Sequence, residues 1–170
     1  MRYAVLSRVS KLAIALTSCL AIGSIVTSSA WATNWFPMTP NNGIYSMCAT
    51  SLGGGVGTKL QLWQCNSGPN QNWTWAGSGS NLLKNEGDGL CISDLGAFGN
   101  DIDQYMESCN SSTNQQYRVN LSCVNMEIWL ENGQAGYVLS SLGATTNGAP
   151  VVEWASDGSS NQSWRFSACF

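Results

Sequence analysis

Short runs of alternating polar and apolar residues, separated by turn-forming residues, dominate the chain after residue 32. The clearest run is Lys59-Leu60-Gln61-Leu62-Trp63, whose period of two is typical of a half-buried β-strand. Gly53-Gly54-Gly55 and Ser78-Gly79-Ser80 lie between such runs and indicate turns. No run after residue 32 has a convincing helical period, so the pattern predicts an all-β fold.

The same pattern occurs three times along the chain. Each copy contains an Asn-Gln-x-aromatic element, at residues 70–73, 114–117 and 161–164. The aromatic residues Trp73, Tyr117 and Trp164 are therefore 44 and 47 residues apart. The repeats extend over about residues 41–76, 81–119 and 125–167. A single copy cannot bury its apolar face, so three copies predict a closed barrel or array with these aromatic residues in the core.

Cysteine positions follow the repeat. Six cysteines come after residue 32, namely Cys48, Cys65, Cys91, Cys109, Cys123 and Cys169. Spacing alone allows 15 pairings of six cysteines. The first four occupy matching places in repeats one and two, whereas repeat three lacks both members, so we expect disulfides Cys48–Cys65 and Cys91–Cys109. Cys123 and Cys169 flank repeat three, and their pairing would close it.

The first 32 residues have a different character. Three basic residues within residues 1–11 precede an apolar run over residues 12–26, and small residues follow as far as Ala32. This order predicts a secretory signal peptide over residues 1–32, and hence a secreted or periplasmic protein. The apolar run is too short and too interrupted for a good membrane span. An alternative is a lipoprotein signal that uses Cys19.

The predicted domain, residues 33–170, is acidic. It contains four basic and ten acidic residues, a net charge of −6, and the whole chain has no histidine. An acidic surface repels phosphate backbones, so nucleic acids and anionic membranes are poor partners. Without histidine there is no Ser-His-Asp or Cys-His arrangement, and a zinc site is not expected. Abundant Asn, Ser, Gln and Trp suit a neutral ligand rich in hydroxyl groups, but they also suit the turns of a β protein.

One acidic patch contains oxygen ligands of the kind that Ca²⁺ prefers, namely Asp94, Asp101, Asp103 and Glu107. Its spacing does not match an EF-hand loop, so a solvated acidic face is the interpretation that we favour. We therefore expect neither a metal nor another cofactor.

The Asn-Gln-x-Trp element, preceded by Leu62-Trp63-Gln64-Cys65-Asn66 and a glycine-rich turn, resembles the ricin B-type β-trefoil lectins. The resemblance covers about residues 41–167 and implies a disulfide-stabilised β-trefoil with up to three shallow sugar sites. It implies that an Asp two residues after the first cysteine holds the sugar, together with an aromatic residue before the second cysteine and the Asn-Gln pair. The Gln and Trp of the element are largely structural in such proteins.

Repeat one holds the best candidate site. The resemblance assigns to it the sugar-binding residues Thr50, Gln61, Trp63, Asn70 and Gln71, with Thr50 in the Asp place. Because the alternation puts Leu60 and Leu62 on one face, Gln61 and Trp63 share the other. An exposed indole can stack on a pyranose ring while amides reach its hydroxyls. The alternative is that Trp63 packs beneath a neighbouring loop.

The other two repeats are less complete. In repeat three the resemblance assigns Ser140, Trp154, Asn161 and Gln162, but Glu153 occupies the inward position of Leu62. Either the strand register slips there, or Glu153 finds a partner. In repeat two the aromatic place holds Glu107 and the Asp place holds Ser93, so we expect no site of the family type. The Asp is thus absent from all three repeats, which argues against galactose specificity.

These features predict a secreted, non-catalytic protein that binds glycans or glycoconjugates. Two alternatives remain at this stage. One is the cell-binding subunit of a multi-component bacterial toxin, with a catalytic partner chain. The other is a trefoil that is not a lectin, such as a protease inhibitor.

Overall fold

The computed structural model describes residues 35–43, 46–77, 79, 81–119, 126–130 and 136–166. The predicted signal peptide and the predicted Cys123–Cys169 disulfide lie outside these residues. Within them the chain forms β-strands and single 3₁₀ turns, as the alternation predicted.

The strands follow the three repeats. Repeat one contains β1 (Phe36–Pro40), β2 (Met47–Thr50), β3 (Gln61–Gln64) and β4 (Asn72–Ala76). Repeat two contains β5 (Leu82–Asn85), β6 (Cys91–Ser93), β7 (Ile102–Asp103), β8 (Tyr105–Glu107) and β9 (Tyr117–Val119). Repeat three contains β10 (Met126–Leu130), β11 (Tyr137–Ser140), β12 (Ala149–Pro150), β13 (Val152–Ala155) and β14 (Ser163–Phe166). The 3₁₀ turns are Pro69–Gln71, Thr113–Gln115 and Ser160–Gln162.

Six strands, two from each repeat, form a closed barrel. The antiparallel order runs from β5 through β4, β1, β14 and β10 to β9. The backbone N–H of Tyr117 in β9 then donates to the carbonyl of Asn81, just before β5, at 2.8 Å. Closure leaves these six strands without a free edge.

Three hairpins cap one end of the barrel. They are β2–β3, β6–β8 and β11–β13. Three backbone hydrogen bonds join them in a ring: Leu60 N–H to Gln104 O, Gln104 N–H to Val151 O, and Val151 N–H to Leu60 O, at 2.8, 3.2 and 3.1 Å. A six-stranded barrel capped by three hairpins is the predicted β-trefoil, and each folded repeat is called a lobe below.

The core lies inside the barrel and beneath the cap. Trp73, Tyr117 and Trp164 are all buried, as predicted. The indole N–H groups of Trp73 and Trp164 donate to the carbonyls of Ala49 and Leu139, at 3.0 and 2.9 Å. These large side chains contribute apolar burial without leaving a buried donor unpaired.

Two disulfides stabilise the hairpins of lobes one and two. Cys48 is bonded to Cys65, and Cys91 is bonded to Cys109. Both pairings agree with the expectation from the repeat. In the described part of the chain, no helix has the length and apolar character needed to cross a membrane.

Candidate functional site

The glutamine of each Asn-Gln-x-aromatic element braces its own lobe. Gln71, Gln115 and Gln162 are all buried. Each side-chain oxygen accepts from a backbone N–H five residues earlier, at 2.8, 3.0 and 2.9 Å. Each amide nitrogen donates to a carbonyl seven residues earlier, at 3.0, 3.0 and 2.8 Å. Gln71 and Gln162 thus hold the loop between hairpin and barrel through both ends of their amides, and their assignment to the sugar sites stays a prediction.

The residues in the Asp place are also buried. The Thr50 hydroxyl donates to the carbonyl of Cys48 at 2.8 Å and accepts from the Gln71 amide at 3.1 Å. The Ser140 hydroxyl accepts from the Asn161 amide at 3.0 Å and from the backbone N–H of Leu142 at 3.1 Å. Thr50 and Ser140 were predicted to bind sugar. Both hydroxyls are engaged by groups of their own lobe, and their role in sugar binding stays a prediction.

Trp63 forms an exposed aromatic shelf in lobe one. Leu60 and Leu62 are fully buried, Gln61 is half-buried, and 37% of Trp63 is exposed. The alternation predicted from the sequence is confirmed, and Trp63 does not pack beneath a loop that would hide it. Asn70, half-buried, directly precedes Gln71, whose amide is bonded to the backbone of Gln64 beside Trp63. Gln61 and Trp63 thus share one face of β3, and the bond of Gln71 ties the turn that carries Asn70 to the end of this strand.

A loop from lobe three completes this surface. The backbone N–H of Gly148 donates to the carbonyl of Leu62 at 2.9 Å, and the side-chain oxygen of Asn147 accepts from the N–H of Gln64 at 2.7 Å. A Cβ built on Gly148 would lie 3.9 Å from Cζ3 of Trp63. Asn147 and Gly148 were not predicted as site residues. The signal that could have found them is the glycine 16 residues before the repeat aromatic, which is shared by Gly57 and Gly148.

Lobe two lacks the aromatic shelf. Glu107 occupies its place and is half-buried, and Ser93 is buried and accepts from the Asn114 amide at 2.8 Å. Of the nearby residues in the acidic patch, Asp94 is buried, and the Asp103 carboxylate forms an ion pair with Lys59. Within the described ranges, no cluster of three or more acidic, cysteine or histidine side chains could hold a metal ion.

In lobe three the strand keeps its register. Leu139 pairs with Glu153 as Ala49 pairs with Leu62, so Trp154 does not turn inward. Trp154 and Asn161 are both half-buried. Of the two possibilities at Glu153, the structure shows the second, because the buried carboxylate accepts from the backbone N–H of Gly99 at 3.0 Å.

Glu153 has an unusual environment for a carboxylate. It is fully buried, and its second oxygen has no hydrogen-bond partner among the described residues. Burial raises the pKa of Glu153 to about 7, although the Gly99 N–H lowers it, and the carboxylate of Asp94 raises it further. The carboxylate holds the loop that contains Gly99 against the strand that carries Trp154.

Comparisons with known proteins agree with this architecture. A family model described as the ricin-type beta-trefoil lectin domain matches residues 27–117. No curated protein matches the chain in sequence at a significant level.

Among solved structures, the chain is similar to ThreeFoil, a designed threefold symmetric protein, with 19% identity, a TM-score of 0.69, and coverage of 78% of this chain and 96% of ThreeFoil. It is similar to the ricin B-like lectin of Macrolepiota procera, solved with lactose, with 18% identity, a TM-score of 0.64, and coverage of 78% and 94%. It is also similar to the cytolethal distending toxin of Actinobacillus actinomycetemcomitans, with 16% identity, a TM-score of 0.63, and coverage of 81% and 92%. These likenesses concern the fold. Because the family model matches more than half of the chain, this protein belongs to the ricin-type β-trefoil lectin domain family.

Proposed function

We propose that this protein is a secreted, non-catalytic lectin that binds neutral glycans on the surface of lobe one, and of lobe three. The observation that carries the proposal is the exposed indole of Trp63 on the same face of β3 as the amide of Gln61. An indole face can meet the C–H face of a pyranose while neighbouring amides bond to its hydroxyls. Family membership supports this use of the surface.

Several properties of the chain favour binding without catalysis. The sequence has no histidine to serve as a base. Two carboxylates in suitable positions are needed for glycoside hydrolysis. Asp94 and Glu153, which influence one another electrostatically, are both buried. A shallow surface with neutral amides is suited to binding a sugar, not to protonating its glycosidic oxygen.

The test is a glycan array probed with the wild type and two tryptophan variants. Trp63→Ala should abolish or strongly reduce binding to the glycans that the wild type recognises through lobe one. Trp35→Ala is the matched control, because Trp35 has 39% of its surface exposed, against 37% for Trp63, but lies at the start of the barrel. Absence of binding by the wild type, or equal binding by Trp63→Ala and the wild type, would contradict the proposal.

The alternative prediction is a cell-binding subunit of a toxin, and the same glycan array tests part of it. A cell-binding subunit would recognise cell-surface glycans and would co-purify with a partner chain from its source. A trefoil with protease-inhibitor function would bind no glycan. Secretion is tested separately, since cleavage after Ala32 predicts that the mature N-terminus begins at Thr33.

A further inference from the structure

One backbone hydrogen bond recurs at all three junctions between lobes. Its donors lie 16 residues before the repeat aromatic, and its acceptors lie in the hairpin of the adjacent lobe. The bonds run from Gly57 to Met106, from Asp101 to Glu153, and from Gly148 to Leu62, at 2.8, 3.0 and 2.9 Å. Each donor therefore lies next to the residue that follows its acceptor. This residue is Trp63 in lobe one, Glu107 in lobe two and Trp154 in lobe three.

Asp101 is the exception among the three donors. All three have a positive φ, 83° at Gly57, 84° at Gly148 and 65° at Asp101. This left-handed region is open to glycine and disfavours residues with a Cβ, although Asp is among those better tolerated. The chain thus has an aspartate at a position where the other two junctions have glycine, which adopts this conformation without strain.

The backbone of Asp101 lies next to the residue before Trp154, because its N–H donates to the carbonyl of Glu153. At the equivalent junction with lobe one, a Cβ on Gly148 would lie 3.9 Å from the Trp63 ring. By analogy with that junction, we infer that the side chain of Asp101 begins near the Trp154 indole, from which its carboxylate can reach a sugar bound there.

The segment before Asp101 is hydrogen-bonded to both sequence neighbours of Trp154. The Gly99 N–H donates to the Glu153 carboxylate at 3.0 Å, and the Asn100 side chain accepts from the Ala155 N–H at 2.8 Å. Lobe one has no counterpart of the first bond, because Leu62 takes the place of Glu153. The buried Glu153 thereby fixes the approach of Asp101 to the shelf.

Asp101 is available to a ligand. It is exposed, and among the described residues its carboxylate has no hydrogen-bond or ion-pair partner. Its neighbour Asp103, in contrast, is paired with Lys59. The two carboxylates are only two residues apart, but one oxygen of Asp103 is engaged by Lys59, whereas both oxygens of Asp101 are available.

We propose that Asp101, supplied by lobe two, is the carboxylate of the lobe-three sugar site and accepts hydroxyl groups of a neutral sugar stacked on Trp154. The proposal rests on the lectin function proposed above. A carboxylate that accepts two hydroxyls forms charge-assisted hydrogen bonds that the buried Ser140 cannot provide. At the corresponding positions lobe one has the neutral Asn147 and Gly148, so the two sites select different hydroxyl patterns.

The experiment follows the indole N–H signals of Trp63 and Trp154 by two-dimensional ¹H–¹⁵N NMR during titration with galactose, glucose, mannose, N-acetylglucosamine and lactose. In the wild type, at least one sugar should shift the Trp154 signal. Asp101→Asn should weaken that titration at least tenfold and leave any titration at Trp63 unchanged. Asp101→Gly should act in the same way, and it introduces the residue that the other two junctions already contain, so loss of folding is not expected.

Asp103→Asn is the matched control, because it removes a neighbouring carboxylate that is already paired, and it should leave the Trp154 titration intact. An unchanged Trp154 titration in both Asp101 variants would overturn the proposal. Sugar shifts at Trp63 without any at Trp154 in the wild type would also overturn it, while leaving the lectin function in place. Absence of shifts at both tryptophans would refute the lectin function itself, and this inference with it.

Discussion

The hydroxyl of Tyr117 donates a hydrogen bond to the side-chain oxygen of Gln104 at 2.9 Å, and both residues are buried. In the other two lobes the corresponding residues are Trp73 with Leu60 and Trp164 with Val151. Repeat two therefore differs from the other repeats at two positions, with tyrosine in place of tryptophan and glutamine in place of an apolar residue. These two residues are hydrogen-bonded to each other. Burial raises the pKa of Tyr117 well above its ordinary value, so the phenol keeps the proton that it donates.

This pair predicts a coupling between two substitutions. Tyr117→Phe leaves the oxygen of Gln104 without its partner, and Gln104→Leu leaves the tyrosine hydroxyl without its acceptor, each at a cost of about 1–3 kcal/mol in unfolding free energy. The double variant leaves neither group unpaired and should lose about 0.5–3 kcal/mol less than the sum of the single losses. Urea unfolding of all four proteins measures the difference. Additive losses would show that the bond makes no net contribution.

Glu153 predicts a pH dependence of stability. Its pKa of about 7 in the folded protein lies above its ordinary value of 4.5. The folded state therefore binds the proton more tightly, and this contribution to stability is complete below about pH 4.5 and is lost as the pH rises through about 7. Relative to Glu153→Gln, which keeps an acceptor for Gly99, the wild type should lose about 1–3 kcal/mol between pH 4.5 and 8.

Thermal or urea unfolding at several pH values compares the two proteins. Glu107→Gln provides the control for the loss of a carboxylate from an equivalent hairpin strand, on which Glu107 is half-buried. Parallel profiles for the wild type and Glu153→Gln would contradict the assignment.

Substitution of Gln71 is expected to lower the free energy of unfolding much more than it lowers glycan affinity. Gln71→Leu removes the bonds to the backbone of Asn66 and Gln64, so the free energy of unfolding should fall by about 1–3 kcal/mol. Because the amide does not face the surface, glycan affinity measured well below the unfolding midpoint should fall much less than in Trp63→Ala. A Gln71 variant with full stability and no glycan binding would instead support the predicted role of Gln71 as a sugar ligand.

The Cys48–Cys65 disulfide predicts a stability difference between oxidised and reduced protein. It closes a loop over a sequence separation of 17, for which restriction of the unfolded chain contributes about 3 kcal/mol. The Cys48→Ser/Cys65→Ser variant should unfold at a correspondingly lower temperature. The same double substitution at Cys91 and Cys109, with a separation of 18, should have a similar effect. A much smaller effect at either pair would indicate that the unfolded chain keeps residual structure there.

The features that could be predicted from sequence are those encoded within one repeat. The alternation around Leu60 and Leu62 determines which face of the strand is buried, so the exposure of Trp63 followed from five consecutive residues. The shared places of the cysteines determined two disulfides. The internal hydrogen bonds of Thr50 and Gln71 could not be predicted, because most of them go to backbone atoms and a sequence does not reveal which backbone atoms come within reach.

The contributions of Asn147, Gly148 and Asp101 were missed for a different reason. Each acts on the lobe next to its own, through backbone bonds whose partners lie far away in the sequence. The only sequence signal of these junctions is the glycine at two of the three positions with a positive φ, Gly57 and Gly148. Asp101 lacks this glycine signal, because aspartate tolerates the same backbone conformation.

The junction between Gly148 and Leu62 has a consequence for the order of synthesis. A ribosome makes Trp63 long before it makes Asn147 and Gly148, yet the surface around Trp63 needs both. The first shelf to be translated is therefore the last to be finished, and a nascent chain that ends before repeat three displays an incomplete one. The surface around Trp63 is thus completed only after the chain has been made at least as far as Gly148 and lobe three has docked against lobe one.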